Sequence, residues 1–262
     1  MRAMNIAATG MQAQQTHVEV ISNNIANMNT TAYSRRLPEF TDLLYQNLQR
    51  VGTFSSDNNT IVPSGVQLGL GVKTTSVYRV TEQGPMNNTN NTLDVAIQGK
   101  GYFQIQLPNG STAYTRDGTF QLSPQGQLIT ATGYTVLPGI TIPSNAVSTT
   151  INSAGQVSVT IDGQNTASVV GQIQLANFPN EAGLEAEGNN LFLQTASSGG
   201  PISATPGSPG FGSILQGWLE GSNVNSVSEM TNLISAQRAY EMNSKVIQTA
   251  DNMMQTTSQL KS

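Results

Sequence analysis

Apolar residues at the two ends of the chain recur every seven positions, whereas those in the middle alternate, so the sequence predicts helix, β-rich centre, helix. Near the start Met4, Met11, Val18 and Ile25 form a seven-residue column. Ala7, Ala8, Ile21 and Met28 lie beside it, and Gln14 and Gln15 interrupt the seam. Such a repeat keeps side chains on one narrow helical stripe. The Asn27–Thr31 run, Asn-Met-Asn-Thr-Thr, favours a stop there. At the far end Leu233, Tyr240, Ile247 and Met254 form one column, and Ala239, Val246, Met253 and Leu260 the next. Ser226 and Glu229 have capping-box spacing, and neither Gly nor Pro occurs from Val224 onward. Glu241 and Lys245 are an i,i+4 pair in the favourable order. A helix of about 35 residues reaches roughly 50 Å, a length that suits helical assembly better than a globular core.

Between the ends the period changes to two. Phe103, Ile105 and Leu107 share one face of a strand, Pro108-Asn109-Gly110 turns the chain, and Ala113–Arg116 runs back. Asp117-Gly118 reads as a two-residue hairpin before Thr119–Leu122. Further turns fall at Pro124-Gln125-Gly126, Ala154-Gly155 and Asp162-Gly163. Turns so closely spaced predict an antiparallel sandwich or barrel-like domain over 85–215. Val66–Val72 alternates and reads as a hairpin arm, while 31–65 and 196–213 read as irregular, either extended linkers or ordered arms that pack only against a neighbour, with Gly52–Asn59 poor in apolar side chains. The expected division is therefore an N-terminal helix (1–30), an extended stretch with a β arm (31–84), the β domain (85–215) and a C-terminal helix (216–262). The fold class is α+β, with discontinuous terminal helices forming a coiled-coil-like domain.

Composition narrows the function. Only 10% of the 262 residues are Asp, Glu, Lys or Arg, against about 25% in ordinary soluble domains. The formal net charge of -4 and the absence of a basic cluster exclude a phosphate-tracking surface, so no nucleic acid is expected as a partner. There is no cysteine and a single histidine, His17, which leaves a metal or triad role without partners. Gly99-Lys100-Gly101 lacks the Ser/Thr of a phosphate loop and precedes a strand. Asp94, Asp117 and Asp162 stand apart, and Glu181, Glu185 and Glu187 fall in a polar loop, so no carboxylate pair suggests glycoside cleavage. Trp218, the only tryptophan, makes no stacking platform and reads as packing. No cofactor, metal or catalysis is expected. The opening residues lack the apolar run of a secretory signal, and no segment approaches the ~20 apolar residues of a membrane span.

The remaining question is what covers the helical stripes. One intramolecular helix pair hides one face of each helix, but the adjacent columns on the C-terminal helix offer more than one face. Small residues such as Ala7, Ala8, Ala236 and Ala250 permit close approach. The pattern fits a subunit whose ends find partners on assembly, although an ordinary intramolecular helix hairpin would give the same periodicity.

Several long motifs resemble one family. Ile21-Ser22-Asn23-Asn24-Ile25-Ala26-Asn27-Met28-Asn29-Thr30-Thr31 is similar to the N-terminal signature of the bacterial flagellar rod and hook proteins. Ser222-Asn223-Val224-Asn225 and Gln237–Lys245, which includes Arg238 and Tyr240, resemble its C-terminal signature. Leu93–Phe103 and Tyr114–Phe120 resemble its central motifs. Length, the extra stretch at 31–65 ending in Pro63–Gly69, and the lack of a large outer domain resemble the distal-rod members rather than proximal-rod or hook members. One departure is Ala32-Tyr33-Ser34-Arg35, where the family usually has Gly before the aromatic residue. The resemblance implies a structural subunit of a hollow helical rod that transmits torque to the hook, with terminal helices inside and the β domain outside. It implies as partners other copies of the chain, proximal rod proteins, the hook protein, the surrounding ring proteins and the flagellar export apparatus. The rod would cross the periplasm to the outer-membrane ring, its subunits exported without a cleaved signal. The remote alternative is a secreted adhesin-like module with a β head and helical stalk. The residues expected at the assembly interface are Met4, Met11, Val18, Ile21, Asn23, Asn24, Ile25 and Asn27 at one end, and Leu233, Arg238, Tyr240, Val246, Ile247, Met253 and Met254 at the other.

Overall fold

The structure, a computed structural model, describes residues 2–49, 65–163 and 166–260. Two long helices bracket an antiparallel β-rich region, as the change of period predicts. The chain divides into two compact units. The helical unit comprises 1–26, 36–79 and 225–262, and the β unit 27–35 and 80–224.

In the helical unit α1 spans Arg2–Ala26 and ends where the Asn-rich run begins. Strands β1 (Arg36–Asp42), β2 (Tyr45–Gln49), β3 (Val66–Gly69) and β4 (Val72–Arg79) form one ribbon, β1 pairing with β4 and β2 with β3. Backbone bonds from Leu43 to Gly71 (2.8 Å) and from Leu70 to Leu44 (3.2 Å) join the two ladders. Of the two readings of 31–65, the linker is set aside for 36–42 and 45–49, which are strand in an ordered arm. Its polar residues hide the period, and the pairing edge comes from 66–79. The Gly52–Asn59 stretch lies outside the described residues. Val66–Val72 is two strands rather than one, split at Gly71, whose φ of 124° favours glycine. Thr9 ties the base of this arm to α1, its hydroxyl accepting from the Val72 N–H at 3.3 Å and donating to the Ile6 carbonyl.

Helix α2 spans Ser226–Gln259, about 51 Å at 1.5 Å per residue. Its N-cap is Asn225, one position before the expected Ser226, and the Asn225 side chain accepts from the Ser228 N–H at 3.1 Å. Glu229, the residue expected to close a capping box, is buried, 1% exposed, and accepts from the Asn24 side chain.

The β unit centres on the strand Tyr102–Gln106. Alternation sends Phe103 and Ile105 into the larger core with Val95, Ile97, Phe120 and Leu175, while Tyr102 joins Tyr114, Phe178 and Phe192 on the opposite face. The ring pairs are edge-on, 5.1 Å between centroids for Phe103–Phe120 and 4.7 Å for Tyr114–Phe178. The Tyr102 strand pairs with Thr112–Thr115, as expected, and its other edge takes Leu175–Asn177 along one half and Thr135–Val136 along the other. Pro124-Gln125-Gly126 joins the paired Phe120–Leu122 and Leu128–Thr130. Ala154-Gly155 joins Ala146–Ile151 to Gln156–Ile161 in a three-stranded sheet.

Three local expectations are corrected. Asp117-Gly118 is not a hairpin: Thr112–Thr115 and Phe120–Leu122 do not pair. Asp117 instead accepts from the Thr119 N–H and hydroxyl, and the Val95 N–H donates to the Gly118 carbonyl at 3.0 Å. A Cβ on Gly118 would collide with the Val95 carbonyl, so close backbone approach is the reason for glycine there. The polar loop around Glu185 and Glu187 contains the strand Glu185–Gly188, paired with Leu191–Leu193. The stretch at 196–213 contains Ile202–Ala204, paired with Leu175–Asn177.

Ala32 takes a left-handed backbone at φ 56° while its N–H donates to the Glu220 carbonyl at 2.8 Å. An alanine Cβ costs about 1–2 kcal/mol there, and glycine's extra unfolded entropy returns about 0.5–1 kcal/mol of the relief. Ala32→Gly should therefore raise stability by up to about 1.5 kcal/mol, measured as a higher midpoint in urea denaturation.

Candidate assembly interface

α1 and α2 pack antiparallel through a column that hydrophobic period does not pick out. Asn24 meets Glu229, its Nδ2 donating to Oε2 at 3.2 Å, and Gly10 lies against Asn243. These pairs fix a register that sets His17 opposite Ala236. The seam is Gly10, His17 and Asn24 against Asn243, Ala236 and Glu229, each set at seven-residue spacing. Small groups let the axes approach, and polar ones fix the register.

Asn24 carries the most. Its side-chain amide pairs with the Arg36 peptide as a strand neighbour would, Nδ2 donating to the carbonyl and Oδ1 accepting from the N–H, both at 2.9 Å. One buried side chain thus holds the start of β1 and the first turn of α2 to α1. The His17 ring stands edge-on to Phe40 of β1, centroids 6.0 Å apart. Burial lowers the imidazole pKa below its ordinary value, and the Glu229 carboxylate pulls it partly back.

The expected interface residues divide by their surroundings. Ile21 and Asn24 are buried inside the helical unit. Met4, Met11, Val18, Ile25, Leu233 and Ile247 are half-buried at the edges of the seam. Asn23, Arg238, Tyr240, Val246, Met253 and Met254 are exposed. Asn27 belongs to the turn after α1, where its Oδ1 accepts from the Thr30 hydroxyl.

Uncovered apolar surface concentrates in the helical unit. On α2 it forms two stripes, Val227, Met230 and Ile234 in the first half and Met242, Val246, Met253 and Leu260 in the second. At 3.6 residues per turn these stripes lie about 100° apart around the axis. The last nine residues of α2, 251–259, and Leu260 after them are exposed on every side. The arm adds Leu44, Tyr45, Leu48 and Leu68. Uncovered apolar surface concentrated in this way marks an interaction site. Val18 and Tyr240 also line a shallow groove along the helix pair, with Glu19 and Glu241 at its rim.

In the β unit the polar centre is Arg116, missed in the sequence because its partner lies 104 positions away. Its guanidinium bonds the Glu220 carboxylate at 2.7 Å, with the two side chains 11% and 6% exposed. It also donates to the Gly99 and Gly101 carbonyls, at 3.0 and 3.1 Å, which fixes the bend expected there. The other Glu220 oxygen accepts from the Gly84 N–H. Asn223, in the C-terminal signature, accepts from the Arg35 N–H and donates to the Val80 and Glu82 carbonyls. Among the described residues no group of three or more His, Cys, Asp or Glu gathers as a metal site, and no helix is long and apolar enough to cross a membrane.

Paired terminal helices with uncovered stripes define a subunit made for assembly. Three family models match the chain: Flagella basal body rod protein over residues 4–33, Flagellar hook protein FlgE/F/G D1 domain over 96–159, and Flagellar basal body rod FlgEFG protein C-terminal over 215–260. The flagellar basal-body rod protein FlgG of Caulobacter vibrioides is 62% identical over 262 residues, 100% of both chains. That of Agrobacterium fabrum is 53% identical over 97% of each chain. That of Bacillus subtilis is 37% identical over 100% of this chain and 99% of its own. The chain belongs to the family of flagellar basal-body rod proteins and is a structural subunit of the flagellar rod.

Proposed function

We propose that this chain is the distal-rod subunit, assembling with copies of itself into a hollow helical shaft that carries torque from the motor to the hook. The observation that carries this reading is the pair of apolar stripes on α2, which α1 leaves uncovered. One face of α2 is used within the subunit, and two others remain for different neighbours. That number of contacts suits a tube in which each helix touches several copies. In this reading the terminal helices line the inside of the shaft, the β unit faces outward, and the arm at 31–84 bridges adjacent copies. Rod and hook proteins continue the shaft at either end, and ring proteins surround it in the periplasm. The chain leaves the cell body through the flagellar export apparatus without a cleaved signal. The role needs interlocking contacts and no catalysis.

Burying a Val or Met side chain is worth about 1.5–3 kcal/mol, and a carboxylate in the same place costs more than that. Val246→Glu with Met253→Glu, both exposed in the subunit, should leave its helical signal unchanged. The same variant should fail to restore swimming to a strain lacking the chain. Swimming at the level of the unaltered chain would overturn the reading.

A further inference from the structure

The one histidine in the chain lies where three parts of the helical unit meet, beside α2 and against Phe40 of β1. We propose that His17 is an acid-release point: protonation of its imidazole loosens α2 and the base of the arm from α1.

The register places Ala236 opposite the His17 ring, between Asn243 and Glu229. Phe40 presents an aromatic edge from β1. A neutral imidazole suits this half-dry surrounding, because it brings one donor, one acceptor and an apolar ring. An imidazolium does not, since it gives up hydration that alanine and phenylalanine cannot replace.

Neighbouring charges do not reverse this. Glu19 follows on α1 itself and is exposed. β1 carries Arg36, Glu39 and Asp42, and β4 carries Lys73 and Arg79. Of the charged groups on the packed elements, Glu229 of α2 is the one that acts on the imidazole, and it favours the charged form. Its Oε2 already accepts from Asn24, and desolvation outweighs its pull.

The direction with pH follows. The folded imidazole titrates below the ordinary value of 6.5, and the unfolded one at that value. The pairing is therefore at full strength above 6.5 and weakens as pH falls from there through the folded midpoint. Carboxylates of ordinary pKa titrate at about 4, so the effect of His17 stands apart from general acid unfolding. Asn24 and Glu229 give the seam its register, and His17 makes that register conditional on pH.

Because there is no other histidine, the imidazole proton resonances of the full chain report this site alone. The expected titration midpoint lies below 6.5. Helicity at 222 nm during urea denaturation should show a lower midpoint at pH 5.5 than at 7.5 in the unaltered chain. In His17→Gln, which keeps a neutral hydrogen-bonding side chain, most of that difference should vanish. An imidazole midpoint at or above 6.5 would overturn the proposal. So would an equal loss of stability between the two pH values in His17→Gln.

Discussion

Arg116→Ala should cost the β unit about 3–5 kcal/mol, the range for removing one partner of a buried ion pair. The loss is large because three things fail together. Glu220, 6% exposed, is left as a buried carboxylate with the Gly84 N–H and no cation. The Gly99 and Gly101 carbonyls lose their donors. The bend between Val95–Gln98 and Tyr102–Gln106, which holds positive φ at both glycines, keeps only the Gln83 side chain, whose Oε1 accepts from the Gly99 N–H. Lysine keeps the charge but cannot fork to several acceptors, so Arg116→Lys should recover only part of the loss. Trp218, on the strand that ends at Glu220, belongs to the β unit. Its fluorescence during urea denaturation therefore reads the effect, as a large fall in the midpoint.

Asn24→Ala should have a comparable effect on the other unit, about 3 kcal/mol. Each buried polar group left without a partner costs roughly 1–3 kcal/mol. Here the buried Glu229 carboxylate loses a donor, and the part-buried Arg36 N–H and carbonyl lose the side chain that pairs with both, at a smaller cost each. Asn24→Asp should be worse than its size suggests, because it replaces the amide donor to Glu229 with a second acceptor carrying negative charge. Both long helices lie in this unit, so the loss appears in the 222 nm signal. The Trp218 transition should change little. Unequal shifts of the two signals would also measure how independently the units unfold.

The two residues differ in how far the sequence points to them. Asn24 lies in a recognisable motif, yet its partners, a backbone peptide twelve residues on and a glutamate on the other helix, leave no periodic trace. Arg116 also lies in a motif, but nothing local pairs it with Glu220. The helices themselves were legible because a seven-residue repeat is a strong signal, and α1 stops where the Asn-rich run begins. The column Glu229, Ala236, Asn243 and Ala250 was half legible: Ala236 and Ala250 were expected as small seam residues and are buried, whereas nothing periodic marks the polar Glu229 and Asn243. The larger residues lie in the neighbouring columns, and several of them, Val246 and Met253 among them, face outward.

The β region shows the same division. Alternation in Phe103, Ile105 and Leu107 placed the core strand and its return correctly. The Asp-Gly dipeptide misled, since glycine serves there to let the Val95 backbone approach, a reason no local pattern carries. The first half of the arm was hidden because Leu37, Phe40, Tyr45 and Leu48 are spread among polar residues. Its order comes from pairing with residues some thirty positions later. Ala32 stood out as a departure from the family pattern, and its left-handed backbone gives that departure a physical meaning.

The central claim is that neighbouring copies cover the outward stripes of α2, and thiol labelling in the assembled rod tests it most directly. The chain contains no cysteine, so Met253→Cys introduces a single reporter at a position 63% exposed in the isolated subunit. A maleimide should label it rapidly in the purified chain and slowly in basal bodies isolated from motile cells. Val147→Cys, on the exposed surface of the β unit, gives the comparison for general access. Strong protection of Met253→Cys in the rod is the predicted result. Labelling as fast in the rod as in the free chain would contradict the account.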